Sequence, residues 1–138
     1  EEAHDAMAQG SMLAGLAFSN TRTTACHSIS YPLTMKYHIP HGVAVSMLLA
    51  PVMRLNQPYI KNRKELFGAF GVENVSELSE KVTAILEKSG SPAKLSQWGA
   101  QESDFEELVA HSMTKGRADN NPAELTAVNV EEILRSVF

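Results

Sequence analysis

The sequence has one cysteine, Cys26, in 138 residues. A single thiol excludes any internal disulfide and fits a reducing, cytoplasmic setting. Long apolar runs are missing too: Val43 to Pro51 is short and interrupted by Ser46, well under the ~18 residues that span a bilayer. No basic, apolar, small-residue leader opens the chain. Positive charge is in deficit, with a net charge of −4 and Lys and Arg scattered, so no basic stripe points to nucleic acid. No Gly-x-Gly-x-x-Gly fingerprint for a dinucleotide is found. Period-two alternation is also lacking, which argues against a sheet.

What is present describes an ordinary globular chain, 43% hydrophobic and 20% charged, of a size for one domain over residues 1–138. Ala3, Met7, Leu13, Ala14 and Ala17 recur at helical spacing, although Gly10 and Gly15 weaken that segment. A second helix is expected from Thr23 to Tyr31, kinked or ended by Pro32. A third starts at Pro40-His41 and runs through the apolar stretch to Leu55 with a bend at Pro51. Ile60, Leu66, Phe67 and Phe70 form one further apolar face. Ser76 reads as the N-cap of a helix carrying Leu78, Val82, Ile85 and Leu86. Ser103 to Glu106 has the form of a capping box ahead of Leu108, Val109 and Met113. Asn129 does the same for a closing helix with Ile133, Leu134 and Val137. The fold class is all-α, a bundle of about seven helices.

His27 and His41 are the residues with the clearest chemistry. They stand in Thr23-Thr24-Ala25-Cys26-His27-Ser28-Ile29-Ser30-Tyr31-Pro32-Leu33 and Tyr37-His38-Ile39-Pro40-His41-Gly42-Val43-Ala44. Neutral imidazole nitrogens bind divalent transition metals, and a helical hairpin can bring two such rings over one point. The bland alternative is a pair of hydrogen-bonded core histidines. Tyr31 shares a helix face with His27 at i and i+4. Cys26 adjoins His27, but adjacent helical residues point apart, so a buried small hydrophobe is the better reading than a Cys-His nucleophile. His38 reads as a loop residue, and His4 and His111 as helix-surface residues.

These two segments, with Gly15-Leu16-Ala17-Phe18-Ser19-Asn20 before them and Asn120-Asn121-Pro122 after them, resemble the C-terminal metal-binding domain of the iron-containing alcohol dehydrogenases. The likeness covers almost the whole chain. It implies that His27 and His41 are metal ligands, and that an Asp and a His on an earlier helix complete the shell. It implies Phe18, Asn20 and Arg117 at the substrate pocket. In the family a second histidine commonly stands four residues after the first, near the substrate; here that position is Tyr31. A phenol donates a hydrogen bond but is a poor proton relay at neutral pH.

The implied activity is hydride transfer between NAD or NADP and an alcohol or aldehyde, with iron, or alternatively zinc, polarising the substrate oxygen. The chain lacks an initiator methionine, opens within a helical pattern and carries no nucleotide fingerprint. It is therefore expected to be a fragment, inactive alone, whose N-terminal nucleotide-binding domain and first metal ligands lie elsewhere. The expected partners are that domain, a small alcohol or aldehyde and a second copy in a homodimer, with no nucleic acid and no membrane. The alternatives are a zinc-dependent polyol dehydrogenase of the same family and a non-catalytic helical interaction module.

Overall fold

A computed structural model describes residues 1–113, 115–116 and 118–138. Among them are seven α-helices and no strand. They are α1 (Glu2–Ser19), α2 (Ala25–Tyr37), α3 (His41–Asn56), α4 (Arg63–Ala69), α5 (Val75–Lys88), α6 (Phe105–Ser112) and α7 (Ala127–Ser136), with short 3₁₀ turns between α3 and α4, α5 and α6, and α6 and α7.

The hairpin of α2 and α3 forms the centre. Ile29, Leu33, Ala25, Ala44 and Leu48 are wholly buried there, against Leu108 of α6 and Val130 and Leu134 of α7. Fully burying one such leucine contributes about 2 kcal/mol. A second cluster joins Ala50 and Met53 of α3 to Phe67, Val75 and Leu78 of α4 and α5. Pro32 lies inside α2 and Pro51 inside α3 without ending either helix. The sequence expectation that α2 closes near Tyr31 is thus too short by nearly two turns. Packing on both faces holds the helix through the missing hydrogen bond.

Helix starts also differ from expectation, each for a local reason. Asn74, not Ser76, caps α5: its Oδ1 accepts the Glu77 N–H at 3.0 Å, while Glu77 accepts the Glu73 N–H at 2.8 Å. Thr126, not Asn129, caps α7, and Asn129 returns its own Oδ1 to the Thr126 N–H at 3.1 Å. A 3₁₀ turn, Glu102–Asp104, precedes α6, with Asp104 accepting the Gln101 N–H at 2.9 Å, so Ser103 is not the cap. Ile85 and Met113, expected on apolar faces, are 57% and 41% exposed.

Helix α1 runs unbroken past Gly10 and Gly15 but buries none of its side chains. Its methionines and leucines therefore contribute nothing to the core of the described residues.

Helix α6 is fastened to α2 by a polar cluster. Asp104 takes the Lys36 ammonium at 3.0 Å and the Tyr37 hydroxyl at 2.8 Å, and Glu107 also pairs with Lys36. The Gln101 backbone N–H, then Lys36 and Tyr37, hold the Asp104 carboxyl down at about 2. Burial, then the bond to Asp104, pushes Tyr37 up to about 12. A depressed carboxylate contributes stability that is complete above its ordinary pKa of 3.8 and is lost as pH falls toward about 2. Asp104→Asn should therefore lower the urea midpoint at neutral pH slightly, since solvent screens the pair. The variant should also flatten the decline of that midpoint below about pH 4. Parallel profiles for the two proteins would show that the cluster carries no acid sensitivity.

Candidate metal and substrate site

Helix α2 begins after Thr24, whose carbonyl accepts the N–H groups of both His27 and Ser28 at 3.1 Å. Cys26 and Ser28, on either side of His27, turn into the core and leave the histidine half-buried. Burial drives the Cys26 thiol up to about 12, and its Sγ lies 3.8 Å from the Leu48 carbonyl. Ser28 donates to the Ser112 carbonyl.

Helix α3 begins at His41, with Pro40 as its N-cap and the Pro40 carbonyl accepting from Val43 and Ala44. The link between the helices is only His38, Ile39 and Pro40. His38 takes a left-handed backbone, φ 56°, and Ile39 is wholly buried.

This reversal sets His41 across from the middle of α2. Its ring centroid lies 5.3 Å from that of His27, with the planes tilted 60°, and 5.5 Å from Tyr31, stacked at 30°. Two imidazoles ligating one tetrahedral ion at ~2.1 Å would have centroids about 5 Å apart. The donor set therefore suits a divalent transition metal as half of its shell. Among the described residues no third His, Cys, Asp or Glu joins them. Cys26 is directed away, protonated and buried. His41 is exposed and Tyr31 is 37% exposed, so the pair opens outward.

A groove of about 490 Å³ runs beside Tyr31 between α2 and α6, floored by Pro32, Met35 and Leu108 and edged by Lys36 and His111. His111, assigned from sequence to a plain helix surface, thus borders the site; only its register with Leu108 could have signalled this. His38 is exposed at the hairpin turn, and His4 is exposed on α1.

The structure does not place the other pocket candidates in this way. Phe18 stands 58% exposed at the end of α1. Asn20 folds its amide onto the Leu16 carbonyl at 2.9 Å, closing its own helix. Arg117 lies outside the described residues.

Fold and site together define an all-helical domain that presents paired imidazoles and a phenol at an open face. The whole chain, residues 1–138, matches the model of the Fe-containing alcohol dehydrogenase family, C-terminal. It belongs to that family. The 1,3-propanediol dehydrogenase of Citrobacter freundii is 32% identical over 99% of this chain and 38% of its own length. Lactaldehyde reductase of Escherichia coli (strain K12) is 28% identical over 100% of this chain and 38% of its own. Among solved structures, sulfoacetaldehyde reductase from Bifidobacterium kashiwanohense in complex with NAD+ superposes with a TM-score of 0.86. It is 28% identical, over 99% of this chain and 36% of that one. The chain thus spans a little over a third of the length of the relatives it matches.

The burial of Cys26 makes a direct prediction. A thiol pushed to about 12 has almost no thiolate at neutral pH, and the thiolate is the reacting form. Ellman's reagent should leave the native chain unlabelled over hours and modify Cys26 promptly in denaturant. Rapid labelling of the native chain would show that the Cys26–His27 turn is open.

Proposed function

We propose that this chain is the C-terminal, metal-binding part of an NAD(P)-dependent alcohol dehydrogenase or aldehyde reductase. The observation that carries the reading is the His27–His41 pair, 5.3 Å between rings on facing helices, in a chain whose full length matches the family. His27 and His41 would hold a divalent ion, iron or zinc, since imidazole suits both. The remaining ligands and the nucleotide site would come from a preceding α/β domain. When bound, the metal supplies Lewis-acid polarisation of the substrate oxygen and the nicotinamide supplies the hydride.

The chain's own residues would orient the reacting groups and form one wall of the site. The α2–α3 core fixes the backbone that carries both rings, which would limit the rearrangement needed on binding. Tyr31 lies flat along His41 and would direct its hydroxyl at the reacting oxygen, where a histidine is common in the family. The adjoining groove has room for a short carbon chain, consistent with an alcohol or aldehyde substrate. Phe18, Asn20 and Arg117 would complete the pocket only in the intact protein. Such an enzyme would work in the cytoplasm, where a single reduced thiol is stable.

In the full-length protein, His41→Ala should abolish stoichiometric metal while nucleotide affinity changes little, read by elemental analysis and nucleotide fluorescence titration. Metal retained at one equivalent would remove His41 from the shell. A wild-type protein that binds no metal at all would favour the helical interaction module instead.

Tyr31→Phe keeps the ring stacked on His41 and deletes only the hydroxyl. Turnover should fall roughly 10- to 1000-fold, the range for losing one transition-state donor, with thermal stability nearly unchanged. Equal turnover at equal stability would make Tyr31 a packing residue.

A further inference from the structure

Beyond the histidine pair stand the exposed apolar residues of α1, the groove past Tyr31, and a part-buried amide pair where α3 ends. Nothing in the structure says what covers α1. The groove is continuous with the proposed pocket. The amide pair carries an inference of its own.

Asn56 is the last residue of α3 and is 7% exposed. Its Nδ2 donates to Asn121 Oδ1 at 2.8 Å, and Asn121 Nδ2 donates back to Asn56 Oδ1 at 2.6 Å. The Ala123 N–H also reaches Asn56 Oδ1 at 3.3 Å, and Asn121 Nδ2 also reaches the Ala123 carbonyl at 2.9 Å. The neighbouring Asn120 donates to the Thr23 carbonyl at 3.3 Å. Thr23 immediately precedes Thr24, whose carbonyl carries the first turn of α2 and the His27 N–H.

The far end of the same connection is tied down as well. Ser112 closes α6, and its carbonyl accepts from Ser28, the residue after His27. Ser112 and Asn120 are thus each bonded to the chain at the start of α2. Apolar side chains could bury the same surface, but only paired amides fix a direction and a distance. Asn56 and Asn121 do not reach His27 themselves.

We infer that Asn56 and Asn121 are positioning residues for His27: through Asn120 and Thr23, their paired amides hold the turn that presents His27 beside His41. The inference takes His27 as a ligand from the reading above. Loosening the pair leaves the apolar core intact and lets the first turn of α2 fray, which misplaces one imidazole.

The test uses the full-length protein, first free of metal. Hydrogen exchange followed by mass spectrometry on the peptide covering Thr23 to Tyr31 should be about tenfold faster in Asn56→Leu than in wild type. It should be unchanged in Val75→Ala, a stability control in the second core cluster. Co²⁺ is then added as the probe. Its affinity, measured by chelator competition, should fall about tenfold in Asn56→Leu, the lower end for losing a supporting partner of a metal ligand. Its ligand-field absorption bands should shift, and in Val75→Ala neither quantity should change. Should Asn56→Leu fail to fold, Asn120→Ala, at an exposed residue, carries the same comparison. Unchanged exchange at the start of α2, or an equal change in Val75→Ala, overturns the inference. If exchange rises as expected but wild-type protein takes up no Co²⁺, the positioning of His27 stands and its reading as a ligand falls.

Discussion

The reversal at His38, Ile39 and Pro40 is the constraint on which the rest depends. Tyr37, at the end of α2, lies roughly 15 Å along the axis from His27 at 1.5 Å per residue. Yet the His41 ring, only four residues beyond Tyr37, sits within 5.5 Å of both His27 and Tyr31. The connection must therefore run back along α2 before α3 begins. The left-handed backbone of His38 makes the turn, and Ile39 anchors it in the core. An unburied side chain at position 39 would release the anchor and let His41 drift off the His27 face. Proline at position 40 then starts α3 with His41 on its first turn. Site geometry is thus a by-product of core packing.

Chemistry and stability are divided along α2. Ala25, Ile29 and Leu33 form its apolar stripe, and Ser28 and Ser30 are buried but hydrogen-bonded. His27 and Tyr31 share the face left over, with Met35 continuing it into the groove. Lys36 and Tyr37 close the helix by binding Asp104 of the turn before α6. The buried serines of α2 are satisfied within the fold, whereas the Thr34 hydroxyl is buried without a hydrogen-bond partner among the described residues.

Much of this was legible in the sequence, and the failures have physical causes. Helical spacing and the absence of alternation identify the seven helices of the described residues, because a 3.6-residue apolar period marks a helix whether or not its face finds a partner. The caps were misplaced by two or three residues at α5 and α7 because Asn74 and Ser76, or Thr126 and Asn129, satisfy the same local rule. Only the reciprocal bond chooses between them. Local propensity leaves a kink or an end open at Pro32; packing against α3 and α6 carries the helix through it. The apolar residues of α1 predicted a helix correctly, yet burial needs a partner surface that the described residues do not provide. Helical spacing places His27 and Tyr31 on one face, and a helical hairpin together with the family resemblance points to His41 beside them, whereas the Asn56–Asn121 pair, 65 positions apart, has no signature that local pattern can reveal.

The central claim is that His27 and His41 grasp one ion. X-ray absorption at the edge of the metal bound to the full-length protein tests it most directly, with the His27→Ala and His41→Ala variants, reconstituted at high metal concentration, as references. The account predicts scattering from two imidazoles of this chain, each nitrogen at about 2.1 Å, with one imidazole lost in each variant that retains metal. A wild-type spectrum showing no imidazole, or one unaltered by either substitution, would contradict it.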